Sequence, residues 1–350
     1  MECKWKSVHE NKVKCCKEAD SSGYCIFHKK NKTKEENSLF TYLIMKDNIS
    51  DFRGFVFEDD FNIKETIKHD YLKLNFNEAI FNKKALFNEF VFKKNTTFNY
   101  AEFKEYVNFE KSVFESNLEL NKVKFNKNYI PNKVFEKVNF NGQALVIDSA
   151  KNLPSLEGML FSPCTKLILK HIKYSKKHGL YGKINYRIAR TQANILSDSE
   201  RLGYYYYNER IYASKIMKSS DYPRFSTYLS DKFFDTISKY TIGYGEKPWR
   251  LLSCAIVLIS LFAFLYMFSG VKNSNGVLFG ININNKYTFK EVLDIYFELW
   301  YFSTVTFTTL GYGDLTVSTL FGRVLVCIEA FCGVTIGSIW ASLVIKRMIR

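Results

Sequence analysis

The sequence predicts a multidomain chain in which several soluble modules precede a small membrane module. Three observations carry this prediction. Cys3, Cys15, Cys16, Cys25 and His28 crowd the N-terminal segment 1–30. From Phe76 onward phenylalanines recur at alternating steps of five and six residues, so that Phe76, Phe87, Phe98 and Phe109 mark an eleven-residue period. Near the C-terminus two long apolar runs, Leu251 to Phe268 and Val324 to Ile345, bracket a shorter one. The expected order is a metal-binding knuckle over 1–30, a linker over 31–50 and a repeat solenoid over 51–146. A connector over 147–182, a helical hairpin with a membrane-interface helix over 183–248, and a two-span module over 249–350 follow.

Thiolate and imidazole groups close together are the raw material of a tetrahedral zinc site. The expected ligands are Cys3, Cys15, Cys25 and His28, with Cys16 or His9 as alternatives for one position. A piece this small has almost no apolar core, so a bound Zn2+ supplies most of its folding energy. Disulfides are the competing reading, and a cytoplasmic placement argues against them. The segment Cys15-Cys16-Lys17-Glu18-Ala19 to Gly23-Tyr24-Cys25-Ile26-Phe27-His28 resembles a short knuckle that often precedes Phe-rich pentapeptide repeats. Cys164, Cys254 and Cys327 are scattered, and the two that lie in spans read as small buried thiols.

The phenylalanine series runs Phe76, Phe81, Phe87, Phe92, Phe98, Phe103, Phe109, Phe114. Small or apolar residues (Ala79, Ala85, Thr96, Ala101, Val107, Ser112) sit two positions before most of them. A period near five serves neither a 3.6-residue helix nor strand alternation. It suits a square solenoid whose central Phe points inward and stacks on the coil below. The pattern resembles the Phe-rich form of pentapeptide-repeat proteins, which implies a right-handed quadrilateral β-helix. Phe52, Phe57, Phe135 and Phe140 keep the spacing and carry weaker coils from Phe52 to about Val146. Glu78, Lys83, Lys84, Glu89, Lys93, Lys94 and Glu102 balance in charge, which excludes an acidic imitation of DNA. The outer face is either simply solvated or a platform for a partner protein or regulatory ligand. No phosphate loop or catalytic carboxylate pair appears, so no enzyme is expected.

Between solenoid and membrane, Ile184, Ile188, Ile195 and Leu202 fall on one helical face. Ser197-Asp198-Ser199-Glu200 reads as a capping box that restarts a second helix, giving an α-hairpin. The run Tyr204-Tyr205-Tyr206-Tyr207 is expected to pack on the solenoid or on a neighbouring subunit. Phe225, Leu229, Phe233, Ile237 and Tyr240 form an apolar stripe on a helix with Arg224, Lys232 and Lys239 elsewhere, as in helices that lie in a membrane interface. Pro248-Trp249-Arg250 then turns the chain into the bilayer.

Leu251 to Phe268 is uncharged and long enough to span a hydrocarbon core. Val324 to Ile345 is interrupted only by Glu329. Ile295 to Thr308 is too short to cross and leads into Thr309-Leu310-Gly311-Tyr312-Gly313-Asp314, the length signature of a re-entrant helix and loop. Glycines at alternate positions permit backbone conformations that a side chain forbids, and stacked carbonyls can then replace an ion's water. The hexapeptide resembles the selectivity filter of the potassium-channel superfamily, usually T-V-G-Y-G-D, with Leu310 in place of Val. Gly322-Arg323 opens the second span as in two-helix potassium channels, and Gly333 lies where those channels often place a hinge. Val317 stands where a proline is common, and Val305 where some channels carry an acid, which leaves the residue bracing Asp314 open. Gly243-Tyr244-Gly245 also spells G-Y-G, but it precedes the first span and reads as a turn.

Mean hydropathy of -0.18 makes the membrane part a minority, and the formal charge of +15 fits positive-inside topology better than nucleic-acid binding. Arg250, Lys346, Arg347 and Arg350 flank the spans, while Lys272, Lys286 and Lys290 in the intervening loop are diluted by Glu291 and Asp294. Both termini are therefore expected in the cytoplasm, with the spans in the plasma membrane and no cleavable signal peptide. Neither span carries the regularly spaced arginines of a voltage sensor. The resemblance implies a K+-selective homotetrameric channel, since one chain supplies one filter segment. The alternative is a membrane-anchored scaffold whose pore-like segment does not conduct. The chain ends soon after Ile345, so cytoplasmic control is expected to arrive through the N-terminal modules.

Overall fold

The computed structural model describes every residue except 11–12, 68–71, 127–133, 274, 277, 282–286 and 350. Lys286 and Arg350 of the charge argument lie outside the described residues. The chain folds as two compact units, Met1–Lys218 and Ser219–Arg350.

The first unit is built on a β-solenoid of about five turns. Short parallel strands stack into four ladders, one per face. Leu74–Asn75, Thr96–Thr97, Leu118–Glu119, Ala144–Asp148 and Lys166–Lys170 form the longest. Successive rungs lie 22 residues apart, as in the Asn99 amide bonding the Asn77 side chain, so two eleven-residue periods make one coil. Each inward Phe stacks on its counterpart one coil away. Phe52, Phe76 and Phe98 are nearly parallel, with centroids 4.7 and 4.8 Å apart, and Phe87 lies 4.8 Å from Phe109. Ala79, Ala85, Thr96, Ala101, Val107 and Ser112 are buried beside them. Glu78, Glu89, Tyr100, Lys111 and Lys122 take positive φ at the corners. Each such corner costs a non-glycine residue roughly 1–2 kcal/mol, while burying one Phe contributes about 1.5–3. The stacked rings therefore hold the corners.

The ladders run past Val146. Leu160–Phe161 pairs with Asn139–Phe140, Lys166–Lys170 pairs with Ala144–Asp148, and Lys151 bridges Lys173. The stretch expected as a connector thus carries another coil. Its core is Leu156, Leu167, Leu169 and Ile172, so the Phe spacing ends while the fold continues. The expected linker likewise contains a helix, α1 (Lys34–Lys46), opened by a Thr33–Glu36 capping box and packed through Phe40 and Ile44. A single turn, α2 (Ile63–Thr66), follows.

The last coil is closed by a hairpin of α3 (Gly179–Ile195) and α4 (Ser199–Ile216). The break falls where expected, with Asp198 as the N-cap and Ser197 at positive φ. Of the isoleucine stripe, Ile188 and Leu202 pack against the core while Ile195 is exposed, and Gly182, Asn185, Tyr186, Ala189, Gln192 and Ala193 make the buried side of α3. The reason is polar. The terminal coil leaves backbone groups unpaired, and side chains that hydrogen-bond outcompete isoleucine there. Asn185 bonds the Leu156 amide and the Pro154 carbonyl, and Gln192 donates to the Ser162 and Thr165 carbonyls. Tyr205 donates to the Leu167 carbonyl and accepts from the Leu169 amide, so this member of the tyrosine run packs on the solenoid.

The second unit opens with α5 (Phe225–Thr241), followed by the turn at Gly243-Tyr244-Gly245 and α6 (Pro248–Ser269). A small antiparallel sheet joins Val271–Asn273 to Leu278–Phe279 and Leu315–Val317. Val317 lies opposite Val271 in this ladder, a position that suits a β-branched residue. Next, α7 (Phe289–Phe307) starts six residues before the expected Ile295, because Thr288 and Glu291 form a capping box. Last comes α8 (Leu320–Ile349). Among the described residues, α6 and α8 are the helices long and apolar enough to cross a membrane.

Candidate functional site

Two sites emerge, one in each unit. The first is the loop between α7 and α8. Thr308 and Thr309 amides bond back to the Thr304 and Thr306 carbonyls, and the Leu310 amide bonds Val305, so the helix end leads directly into the hexapeptide. There the backbone alternates in hand: Thr309, Gly311 and Gly313 take φ of 57, 56 and 78°. Leu310 and Tyr312 keep ordinary conformations. Such alternation can turn successive carbonyls to one side, the arrangement an ion-stripping path requires. Thr309 is β-branched and left-handed, an outlier of the kind that clusters at functional sites.

The loop is open in the single chain. Leu310 and Tyr312 are 62% and 68% exposed, and among the described residues nothing beyond the chain neighbours lies within 4 Å of a methyl built on Gly311 or Gly313. The question of which residue supports Asp314 is answered by Tyr301 of α7, whose hydroxyl donates to the Asp314 carboxylate.

Behind the loop, α8 buries Gly322, Leu325, Glu329 and Gly333. Gly333 faces the Phe307 carbonyl so closely that a side-chain methyl would overlap it. Glu329, which sequence reasoning noted only as an interruption, is fully buried among the hydroxyls of Tyr266 and Ser303. Its signal in the sequence was a lone acid within an apolar span. Elsewhere α6 and α8 leave Val257, Phe264, Phe268, Phe331 and Val334 exposed, a surface for lipid or for other copies of the chain.

The second site lies at the N-terminus. Among the described residues, Cys3, Cys15, Cys25 and His28 form a cluster that could hold a metal, with ligand atoms within 4.8 Å of one another. Cys15 and Cys25 sulfurs are 3.7 Å apart, and Cys25 Sγ is 3.1 Å from His28 Nδ1. Around a tetrahedral ion with ~2.3 Å metal–sulfur bonds, sulfurs sit about 3.8 Å apart, so the donor set fits. His28 Nε2 lies 3.0 Å from the Arg53 carbonyl, which can only accept, so Nε2 carries the proton and Nδ1 presents its lone pair inward. Trp5 stacks on the imidazole at 4.4 Å. Burial pushes the Cys25 thiol up to about 12, raises Cys15, and holds His28 down to about 4. A metal cation reverses that preference at the thiols by supplying the missing positive charge. Neither alternative ligand joins the cluster: Cys16 is exposed, and His9 stacks on Tyr100 at 3.5 Å.

The knuckle is anchored to the solenoid. Glu10 bridges Arg53 and Asn77, and the Val56 amide bonds the Phe27 carbonyl. It caps the first coil as the α-hairpin caps the last.

A family model described as Ion channel matches residues 280–350, and one described as Pentapeptide repeats (9 copies) matches residues 76–124. No curated protein and no solved structure matches the chain. An ion-channel domain thus follows a pentapeptide-repeat solenoid in one membrane protein.

Proposed function

We propose that this protein is a K+-selective channel that conducts as a homotetramer. The observation that carries the reading is the alternating hand of Thr309, Gly311 and Gly313 within a T-L-G-Y-G-D sequence, held between a re-entrant helix and a spanning helix. Four copies around an axis would stack rings of carbonyls that replace the hydration of K+. The openness of Leu310 and Tyr312 supports assembly, since one chain leaves the loop without walls. The wall is other copies of the same loop.

Zn2+ is the ion we assign to Cys3, Cys15, Cys25 and His28. It supplies structural cross-linking there, and the four residues need only hold it while Arg53 and Trp5 fix the imidazole. In this reading the termini are cytoplasmic, the spans cross the plasma membrane, and α5 lies in the inner interface with Phe225, Leu229, Phe233 and Ile237 in the acyl boundary. A ligand or protein on the solenoid biases gating through α5, and α8 bends at Gly333.

The test is ion flux through the purified full-length protein in liposomes. A reversal potential that follows the K+ gradient and ignores Na+ is expected. Protein that inserts and assembles but passes neither ion would leave a membrane-anchored scaffold in its place.

A further inference from the structure

Glu329 is fully buried at membrane depth, and so are the two side chains that meet it. Tyr266 of α6 donates its hydroxyl to Glu329 Oε2 at 2.7 Å. Ser303 of α7 is in contact with Glu329 Oε1, and the same Ser303 oxygen lies 2.9 Å from the Ile259 carbonyl of α6. One carboxyl therefore joins the outer span, the re-entrant helix and the inner span. Ser303 sits one helical turn before Phe307, whose carbonyl packs on Gly333, and Gly333 is one turn after Glu329. The two contacts run side by side and end at the start of the filter.

Hydrogen counting decides the state of this junction. Ser303 has a single hydroxyl hydrogen, yet both of its neighbours, the Ile259 carbonyl and an ionised Glu329, could only accept. An ionised carboxylate would leave one of the two contacts without a proton, and its charge would be held by two hydroxyls alone. A neutral carboxylic acid resolves both. Glu329 donates its proton to Ser303, Ser303 donates to Ile259, and Tyr266 donates to the remaining Glu329 oxygen.

We propose that Glu329 is a positioning residue, a neutral acid clamp that fixes α7 against both spans and thereby sets the height of the filter. This rests on the channel reading above and adds to it the group that holds the pore helix in place. Removing the donor and acceptor pair leaves the buried Tyr266 hydroxyl without its acceptor and Ser303 held only by the Ile259 carbonyl, which frees α7 to shift. An amide in the same place can donate to Ser303 and accept from Tyr266, so it restores the junction.

The experiment uses full-length protein in liposomes. Infrared difference spectra of wild type minus Glu329→Gln at neutral pH report the carbonyl stretch of a protonated carboxyl. K+ and Na+ flux are measured on wild type, Glu329→Gln, Glu329→Leu and Ser303→Ala. The expected results are a carboxylic-acid band lost in Glu329→Gln, flux and selectivity near wild type for Glu329→Gln, and a loss of at least about tenfold in K+ flux or selectivity for Glu329→Leu. Should the leucine variant fail to assemble, Ser303→Ala, which removes one arm only, is expected to shift selectivity or sustained conduction in the same direction. Absence of the acid band overturns the proposal, and so does a Ser303→Ala or an assembled Glu329→Leu channel that behaves as wild type. A wild-type protein that passes no ions defeats the channel reading, while the infrared band still decides the protonated clamp.

Discussion

The Tyr301 hydroxyl donates to the Asp314 carboxylate at 2.9 Å, tying α7 to the residue that closes the Thr309–Asp314 hexapeptide. The acid that some channels carry at the position of Val305 is replaced here by a phenol one turn earlier in the helix. The pair is exposed in the single chain, so water weakens the bond there. Tyr301→Phe is expected to leave assembly intact and to shorten sustained conduction. Single-channel recordings in symmetric K+ check this, and unchanged open durations would count against a bracing role for the pair.

Gly311→Ala and Gly313→Ala are expected to abolish K+ selectivity without preventing insertion. Among the described residues, nothing beyond the glycine's own chain neighbours lies within 4 Å of the added methyl. The obstacle is the backbone itself, because both glycines hold positive φ, which costs an alanine roughly 1–2 kcal/mol at each position and at every copy in an assembly. The spans that drive insertion are untouched. Reversal potentials in mixed K+ and Na+ decide the matter, and wild-type permeability ratios in either variant would sink the filter assignment.

Gly333 and Gly337 separate packing from bending. A methyl on Gly333 meets the Phe307 backbone, which cannot swing aside, whereas one on Gly337 meets nothing. Gly333→Ala is therefore expected to destabilise the pore by about 1–3 kcal/mol through overpacking, and to disturb the filter as well as the opening. Gly337→Ala is expected to favour the helix by up to about 1 kcal/mol and leave selectivity alone. Thermal melting of the assembled protein, read beside open probability, distinguishes the two. A Gly333→Ala channel as stable and selective as wild type, yet opening less, would make Gly333 a hinge and nothing more.

Legibility in the sequence followed the chemistry of the inward positions. Phe76 to Phe114 advertised the solenoid because the central inward position of each face there carries the same aromatic ring. Leu145, Leu167 and Ile172 serve the same geometry later on and look like any core. The caps were legible as a knuckle and a hairpin with a packed tyrosine run, but their polar contacts were not. Asn185, Gln192 and Tyr205 act by bonding backbone groups of a coil that sequence alone does not place beside them. At the metal cluster the four ligands were visible from residue type, while the Arg53 carbonyl that sets the His28 tautomer has no residue signature at all. Glu329 stood out as an acid in an apolar run, but its partners lie 63 and 26 residues away.

Zinc is expected at about one ion per chain. The knuckle has little core of its own beyond Cys3, Cys25 and Phe27, so cross-linking by the ion stabilises the cap on the first coil. Cys25→Ser removes one of the buried sulfurs, and both metal content and the protease resistance of residues 1–60 should fall. Elemental analysis of purified protein checks the first, and limited proteolysis with and without chelator the second. Full-length protein that carries no zinc, or keeps it in Cys25→Ser, would reject the site.

The helix α5 presents Phe225, Leu229, Phe233, Phe234, Ile237 and Tyr240 as exposed side chains, an apolar face that water does not favour and an acyl boundary does. Trp249 is 70% exposed at the start of α6, and its ring suits headgroup depth. Any signal that travels along the chain from the solenoid to the first span must pass through this helix. Proline at Leu229 removes a hydrogen bond from its second turn and clashes with the turn before it, at about 3 kcal/mol or more. Leu229→Pro is therefore expected to change open probability while the K+ over Na+ ratio stays put, since the filter belongs to a different segment. A ligand can shift gating only by its differential affinity for closed and open states, so the same variant should also lose any response to a molecule bound on the solenoid. Bilayer recordings of an assembled Leu229→Pro channel that opens as often as wild type would assign the N-terminal modules to assembly or placement instead of gating.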